Sequence, residues 1–472
     1  MTTADHHRLL EAVLRNDLAS FLKVSFPILV PGETLHWNWH LDAICHQLER
    51  VLAGDVRRLI IEVPPRSLKS IIASVVFPAF CLGRDPRHKL ITASYSGDLA
   101  VKHANDTRAL MRSARYRALF PGTIIGGKDT EADFNTTERG YRYSTSPAGT
   151  LTGRGGNMLI LDDIMNPREA VSDARREAVI NWYANTAFSR LNDKATGSII
   201  LVMQRLHMND LAGHLREQGG FTILSLPAVA EEDEWIALNH GHRHRRQVGD
   251  LLHSSREPQS VLDELRRTIG SYNFSAQYQQ RPVPLDGEVL KWSWFKRYRE
   301  LPHVPGATIV QSWDVGMKAG DSNDYSVCTT WVRGKHAHYL IDVTRGRWDF
   351  PELLRKVTEL ARLHRADTIL IEDKITGTAL IQQVRSMRAV GVPSPIACLP
   401  TGDKLSRMVG ESAIIEAGNV LLPDASPWLD AFRSEVAQFP HGRHDDQIDS
   451  LSQYLNWARQ RGGASVTKVR VR

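Results

Sequence analysis

The sequence has few cysteines and no long apolar run, and each shortage excludes a class of protein. Its four cysteines, Cys45, Cys81, Cys328 and Cys398, are far apart and form no CxxC pair. This spacing argues against a disulfide framework or a cysteine zinc site and favours a reducing compartment. No uncharged apolar stretch reaches the roughly 18 residues that a membrane span requires. Because the amino-terminal residues are also polar, we expect neither export nor membrane insertion.

Length and charge suggest more than one domain and leave the partner open. The chain has 472 residues, of which 42% are hydrophobic and 24% are charged, so it is long enough for two domains with sizeable cores. Its formal net charge is +6. A mild positive charge suits a polyanionic partner, but it also suits many ordinary soluble proteins.

Short apolar runs alternate with helical patterns in the first half. Residues 1–55 are predicted to form a helical lead-in to a domain over residues 56–280. That domain contains the runs LIIEV, KLITAS, MLILDD, SIILVM and FTILSLP. Strands that alternate with helices predict a mainly parallel sheet with covered faces. The basic run HGHRHRRQ, residues 240–247, is predicted to be an exposed loop, with phosphate contact as the alternative.

The second half has a different order of elements. Residues 281–304, where proline and glycine accumulate, are predicted to be a linker to a domain over residues 305–460. Three consecutive strand candidates open that domain, and helix and strand alternate only afterwards. This is the order of RNase H-like folds. Residues 461–472, RGGASVTKVRVR, are predicted to be a basic, frayed tail.

The stretch VPPRSLKS, residues 63–70, looks like a phosphate-binding turn between a strand and a helix. In such turns backbone N–H groups surround the phosphates, a lysine bridges them and the next hydroxyl holds Mg²⁺. Lys69 and Ser70 supply the last two groups, but the usual glycines are missing. The motif alone leaves two interpretations open, a nucleotide site and an ordinary capped helix start.

A pair of aspartates favours the nucleotide site. The run NMLILDDIM places Asp162 and Asp163 at the end of an apolar strand, and open α/β sheets bind ligands at the carboxyl ends of their strands. We expect Asp162 to hold Mg²⁺ through its water and Asp163 to orient or deprotonate the attacking water. The alternative is that both aspartates cap the next helix.

The second half carries acidic residues at three places where a two-metal nuclease needs them. Such cleavage requires carboxylates that converge on two ions roughly 4 Å apart. Asp314 ends the first strand of this half, and Glu372 ends the fourth. The last helix begins HDDQIDS, in which Asp446 and Asp449 share one helical face beside Asp445. Like charges this close favour bound cations. The alternative is that the aspartates are a capping pair at a solvated helix start.

Several motifs, in this order, give the chain a family resemblance. VPPRSLKS, ITASYSGDLA, GTLTGRGGNMLILDDI, IILVMQRLHMNDLAG and FSAQYQQRPVPLDG extend over most of the sequence. Together they resemble the large terminase subunits of tailed bacteriophages and prophages. The resemblance implies an α/β fold class, in which a P-loop ATPase domain of the ASCE type precedes an RNase H-like nuclease domain. In that family the phosphate turn often departs from the glycine-rich pattern.

The resemblance also implies roles for individual residues. The nucleotide would be bound by Arg66, Ser67, Leu68, Lys69, Ser70 and Asp162. Arg66 would stabilise charge on the γ-phosphate, and Asp163, where many ATPases have glutamate, would be the catalytic carboxylate. Ser70 would be a metal ligand of the ATPase site. The primary metal ligands of the nuclease would be Asp314, Glu372 and Asp446, with Asp445 and Asp449 auxiliary.

At other positions the sequence gives a less specific signal for a functional role. Gln204 and Arg205 resemble a segment that couples hydrolysis to motion, with a buried strand that ends in a solvated arginine as the alternative. Adenine could stack on Trp37, Trp39 or His40, unless these are core side chains. The DNA path could include Lys374, Lys404 and Arg407, which could equally be solvated charges. Asp324 and Asp373 lie at the fringe of the nuclease cluster.

The implied function is a DNA-packaging motor that uses ATP, with Mg²⁺ as cofactor and Mn²⁺ as a substitute at the nuclease. Its implied partners are double-stranded DNA, a small terminase subunit and the portal ring of a procapsid, on which the chain would form a homo-oligomeric ring in the cytoplasm of a bacterial host. A helicase-like repair nuclease, a gene-transfer particle and a degraded nucleotide-binding switch are the alternatives.

Overall fold

A computed structural model describes residues 3–151, 153–283, 289–316, 325–400, 403–440, 442 and 444–462. The chain divides into two compact units. The first contains residues 1–263 and 272–283, and the second contains residues 264–271 and 284–472. Asp324 and most of the predicted basic tail lie outside the described residues. Within the described ranges, no helix is both long and apolar enough to cross a membrane.

The first unit is a sheet with helices around it. Its helices are α1 (Thr3–Asn16), α2 (Leu18–Leu29), α3 (Trp39–Ala53), α4 (Phe77–Arg84), α5 (Gly97–Arg112), α6 (Ala114–Leu119), α7 (Asp173–Trp182), α8 (Leu211–Gln218) and α9 (Gln259–Gln277, which is divided between the units). Its strands are β1 (Arg58–Glu62), β2 (Lys89–Ala93), β3 (Ile125–Asp129), β4 (Asp133–Thr136), β5 (Tyr141–Thr145), β6 (Met158–Asp162), β7 (Ser198–Met203), β8 (Thr222–Ser225), β9 (Glu234–Ala237) and β10 (Arg243–Arg246).

The sheet of the first unit has the strand order β3-β4-β5-β2-β6-β7-β1-β8. The six strands β5, β2, β6, β7, β1 and β8 are parallel to one another. Strand β4 is antiparallel to β5, and β3 is antiparallel to β4. The central strands are apolar because both faces are covered, and every residue of β6 and β7 is buried. The carboxyl ends of β1, β6 and β7 therefore meet at one edge.

The prediction of an exposed loop for residues 240–247 is only partly confirmed, because most of these residues are exposed but four of them form a strand. Arg243–Arg246 form β10, which pairs with β9 in an antiparallel hairpin. Arg246 is fully buried. It donates hydrogen bonds to the carbonyl groups of Pro227 and Asp250, at 2.5 and 3.1 Å. These carbonyl groups compensate the burial of a charge that the sequence shows only as part of a basic run.

The second unit contains a seven-stranded mixed sheet. Its helices are α10 (Phe350–His364), α11 (Ile375–Met387), α12 (Lys404–Glu416), α13 (Leu429–Gln438) and α14 (Asp446–Gly462). Its strands are β11 (Lys296–Tyr298), β12 (Thr308–Asp314), β13 (Ser326–Arg333), β14 (His338–Gly346), β15 (Thr368–Glu372), β16 (Ile396–Cys398) and β17 (Val420–Pro423). The strand order is β11-β17-β14-β13-β12-β15-β16, in which β12, β13 and β14 are antiparallel and β15 is parallel to β12.

This topology brings distant residues together at one end of the second sheet. Because β12 and β15 are parallel neighbours, Asp314 and Glu372 lie at the same edge. Helix α14 packs on this sheet through Ser450, whose hydroxyl donates to the carbonyl of Ser312 at 2.8 Å. The start of α14 is held by Glu435 of α13, which accepts hydrogen bonds from the backbone N–H groups of Gln447 and Ile448.

Candidate functional site

The turn at residues 63–70 has the shape of a phosphate loop although it lacks glycine. Arg66 and Leu68 adopt positive φ angles of 63° and 61°, a conformation that glycine adopts without strain and other residues adopt rarely. Arg256 donates a hydrogen bond to the carbonyl of Arg66. Two non-glycine residues thus adopt the left-handed conformations that glycine would adopt without strain.

The two aspartates at the carboxyl end of β6 lie directly beside this turn. The hydroxyl of Ser70 donates to Oδ1 of Asp162 at 3.0 Å, and Nζ of Lys69 lies 3.2 Å from Oδ2 of Asp163. Burial raises the pKa of Asp162 and of Asp163 above the usual aspartate value, and Lys69 opposes the increase at both. The structure therefore brings together Lys69, Ser70, Asp162 and Asp163, as the sequence predicts.

A cavity of about 600 Å³ opens next to these residues. Its lining includes residues of the turn and the strand ends beside it, namely Arg66, Leu68, Lys69, Ser70, Asp163 and Gln204. It also includes Phe26, Leu35, His36 and His40. Burial lowers the pKa of His40 to about 3, so its imidazole is neutral at physiological pH. The size and the charged wall suit a nucleotide.

The three side chains predicted to stack on adenine have different surroundings in the structure. His40 lines the cavity. Trp37 instead donates from Nε1 to Asp42 at 2.9 Å, and the ammonium group of Lys23 lies over its ring. Trp39 stacks on His244, with the ring centroids 4.2 Å apart. Of the three candidates, His40 is the one that lines the cavity.

Arg205 is buried and ion-paired, so the alternative of a solvated arginine is wrong. Its side chain lies 3.0 Å from Asp210 and 3.6 Å from Glu62, and Glu62 also pairs with Arg216. Glu62 is the last residue of β1, and Arg205 comes shortly after β7. These ion pairs connect the strand that enters the phosphate turn with the strand beside it. The neighbouring Gln204 donates its backbone N–H to Asp163 at 3.4 Å.

A second cavity, of about 190 Å³, contains carboxylates of the second unit. Its walls include Asp314, Glu372 and Asp449, together with Gln453 and Trp457 of α14. Burial raises the pKa of Asp314 well above the usual value, and the nearby charges of Asp449, Glu372 and Asp446 raise it further. The acidic residues predicted from three distant segments therefore do converge.

Asp446 has different surroundings from Asp449. Its Oδ2 lies 3.6 Å from Arg345, and its pKa is raised to about 6 by burial and by Glu435. Asp449, one turn later on α14, lies on the wall of the cavity with Asp314 and Glu372. The sequence ranks Asp446 as primary and Asp449 as auxiliary, whereas the cavity contains Asp449.

Basic side chains neutralise these carboxylates. Lys404 lies 2.6 Å from Asp445 and 2.8 Å from Asp449. Arg407 lies 3.0 Å from Asp449, and Lys374 lies 2.9 Å from Glu372. The fringe residue Asp373 accepts a hydrogen bond from Thr378 at 2.6 Å. The three basic residues that the sequence leaves as DNA contacts or solvated charges are thus ion-paired at the candidate site.

The carboxylates have the ligand type and the charge that a divalent ion requires. Carboxylate oxygens are ligands that Mg²⁺ and Mn²⁺ prefer. A buried carboxyl group such as that of Asp314, whose pKa is raised by burial and by neighbouring carboxylates, requires compensating positive charge in order to ionise. In the described part of the chain, no group of three or more His, Cys, Asp or Glu side chains is arranged to hold a metal ion. The positive charge is supplied by Lys374, Lys404 and Arg407.

The fold is similar to that of the large terminase from a thermophilic bacteriophage, with a TM-score of 0.56 at 11% identity over 87% of this chain and 98% of that one. The ADP complex of the same phage protein gives a TM-score of 0.52 at 12% identity, and its ATP-γ-S complex gives 0.53 at 13%, with the same coverage. The chain has the large terminase fold. The large terminase resemblance and the predicted fold class are thereby confirmed.

A family match supports the same conclusion for the second unit. Residues 311–457 match the family described as the terminase RNaseH-like domain. This range includes Asp314, Glu372, Asp446 and Asp449 of the large terminase fold. No curated protein matches the sequence.

Sequence reasoning misses several residues of both sites. Arg256 supports the phosphate turn, and Ser74 and His103 lie beside Asp162. At the carboxylate cluster, Arg345 and Glu435 surround Asp446 and the start of α14. None of these residues belongs to a motif with a fixed spacing, so only the fold reveals them.

Proposed function

We propose that this chain is a viral DNA-packaging motor, which uses ATP to move double-stranded DNA into a procapsid and cuts DNA concatemers with a metal-dependent nuclease. The observation that carries the proposal is the presence of two separate acidic sites on one large terminase fold. One site combines a phosphate turn with Asp162 and Asp163. The other combines Asp314, Glu372 and Asp449.

The first site is proposed to hydrolyse ATP. The complexes of the thermophilic phage terminase with ADP and ATP-γ-S support nucleotide binding by this fold. Lys69 would contact the phosphates, Ser70 and Asp162 would hold Mg²⁺, and Arg66 would stabilise negative charge that develops on the γ-phosphate. Asp163, 3.2 Å from Lys69, would orient the attacking water. The contact between Lys69 and Asp163 supports this assignment, because the candidate base would then lie next to the group that binds the phosphates.

The second site is proposed to cut DNA. Bound divalent ions would activate water and stabilise the leaving oxygen. Asp314, Glu372 and Asp449 would hold these ions, and Asp446 and Asp445 would add negative charge at the start of α14. With the ions bound, Lys374, Lys404 and Arg407 would contact DNA phosphates, which carry no sequence information.

The proposal includes the partners that a packaging motor needs. The chain would assemble as a homo-oligomeric ring on the portal of a procapsid, receive DNA with a small terminase subunit, and act in the cytoplasm of a bacterial host. A gene-transfer particle would use the same motor.

An assay of DNA filling tests the proposal directly. We expect purified chain, procapsids that carry the cognate portal, and ATP to protect linear DNA from added nuclease. The Lys69→Ala variant should give no protection because the phosphates lose their charged contact. Plasmid cleavage without any filling of procapsids would instead favour a helicase-like repair nuclease. ATP binding without hydrolysis would favour a degraded switch.

A further inference from the structure

Two serines hold opposite oxygens of the same buried aspartate. The hydroxyl of Ser70 donates to Oδ1 of Asp162 at 3.0 Å, and the hydroxyl of Ser74 donates to Oδ2 at 2.7 Å. Asp162 and Ser74 are each only 1% exposed, so water does not compete for these bonds. The family resemblance assigns a role to Ser70 but none to Ser74.

The backbone after the phosphate turn explains how both serines reach one carboxylate. Residues Ile71–Val76 form a π-helical segment before α4. Residues four apart lie on one face of a helical segment, so Ser74 follows Ser70 on the side that faces the end of β6. Segments of the π-helical kind are rare and often occur at functional sites. The spacing of the two serines therefore brings both hydroxyls to Asp162.

Other buried side chains hold Ser74 in this position. Its carbonyl accepts a hydrogen bond from Arg142 Nη2 at 2.8 Å and lies 3.4 Å from the hydroxyl of Thr107. Arg142 is fully buried on β5, and it also donates to the hydroxyl of Ser144. Nδ1 of His103 lies 3.6 Å from Oδ2 of Asp162, too far for a good hydrogen bond. Ser74 is thus the direct donor to Oδ2, and Arg142 fixes its backbone.

We propose that Ser74 is a positioning residue for the magnesium site of the ATPase. The inference rests on the proposed function of the first site. By holding Oδ2 of Asp162, Ser74 keeps Oδ1 directed at Ser70 and at the ion that these two residues would share. If Ser70 turned from Asp162 toward the ion, Ser74 would keep the carboxylate in place.

Binding of a fluorescent ADP analogue to the full chain, with Mg²⁺ and with EDTA, tests this role. We expect the wild-type chain to bind the analogue more tightly with Mg²⁺. In Ser74→Ala, binding in EDTA should be unchanged, but the enhancement by Mg²⁺ should fall by about 10- to 100-fold, the usual effect of removing a group that orients a metal ligand. Ser74→Cys, with a weaker donor of similar size, should give an intermediate loss.

Ser25→Ala is the matched control. Ser25 is also 1% exposed, lies on α2 of the same unit, and its hydroxyl makes no hydrogen bond within the described residues. It should behave as wild type. Two results would overturn this inference without affecting the ATPase proposal. In one, Mg²⁺ increases the affinity of Ser74→Ala for the analogue as much as it does for wild type. In the other, Ser74→Ala loses the same affinity with Mg²⁺ and with EDTA. Failure of the wild-type chain to bind the analogue would overturn both this inference and the ATPase proposal.

Discussion

Two aspartates one turn apart on α14 have different relations to the nuclease cavity. Asp449 lies on its wall with Asp314 and Glu372. Asp446 lies beside Arg345 and Glu435. The sequence places both on one helical face and cannot separate them, because the distinction depends on side chains that α13 and β14 bring to the start of the helix.

We therefore predict that Asp449→Asn reduces cleavage more than Asp446→Asn does. Loss of the Asp449 charge removes a carboxylate from the cavity, and Mn²⁺-dependent plasmid cleavage should fall to background. Asp446→Asn should retain measurable cleavage because Arg345 already neutralises that position. Circular dichroism would confirm that both variants fold. The opposite order of activities would return Asp446 to the primary role that the family resemblance implies.

At the scale of helices and strands, the start of α14 depends on a residue from another helix. The carboxylate of Glu435 accepts hydrogen bonds from the backbone N–H of Gln447 at 2.6 Å and of Ile448 at 3.2 Å, and from the side chain of Gln447. The first N–H groups of a helix have no partner inside the helix. Glu435 thus caps α14 next to Asp446 and Asp449.

Removal of this cap should affect both stability and cleavage. We predict that Glu435→Ala lowers the free energy of unfolding by about 1–3 kcal/mol, the usual cost of leaving buried donors without a partner, and reduces plasmid cleavage. Glu435→Gln retains an acceptor oxygen and should recover much of both losses. Denaturant unfolding followed by circular dichroism measures the first effect. Equal stability of Glu435→Ala and wild type would contradict the capping role.

A buried carboxyl group on α12, paired with a more exposed arginine on α14, makes stability depend on pH. Glu411 is 2% exposed and lies 2.8 Å from Arg459, and burial raises its pKa to about 7. Because the folded-state pKa exceeds the unfolded value, the folded chain retains a proton that the unfolded chain releases between about pH 4.5 and 7. The contribution of Glu411 to stability is present below this window and is lost as pH increases through it.

We predict that Glu411→Gln removes this part of the pH dependence. Relative to wild type, the variant should gain stability between pH 5 and pH 8 by on the order of 3 kcal/mol at most. Thermal unfolding midpoints of both chains at the two pH values measure the difference. Parallel pH profiles of variant and wild type would show that Glu411 ionises normally.

The sequence predicts the elements that apolar runs define, and it fails where tertiary contacts decide. The runs that end at Glu62, Asp162, Asp314 and Glu372 are strands, and their acidic ends are at the sites. Strand β10 is missed because the burial of Arg246 depends on carbonyl groups from other segments. The π-helical segment and the positive φ angles of Arg66 and Leu68 likewise have no signal in the residue types.

At the scale of the whole molecule, the reactions of the two proposed active sites should be independent of each other. Lys69, Asp162 and Asp163 belong to the first unit, whereas Asp314, Glu372 and Asp449 belong to the second. Each unit has its own sheet and core. The domain limits predicted at residues 280 and 305 stay predictions. A substitution in one active site should therefore leave the chemistry of the other intact.

The most direct test of two active sites on one chain measures ATP hydrolysis and Mn²⁺-dependent plasmid cleavage for three proteins in parallel. Wild type should show both activities. Lys69→Ala should lose ATP hydrolysis and retain cleavage, and Asp314→Ala should retain ATP hydrolysis and lose cleavage. Persistent ATP hydrolysis by Lys69→Ala together with unchanged cleavage by Asp314→Ala would contradict the account.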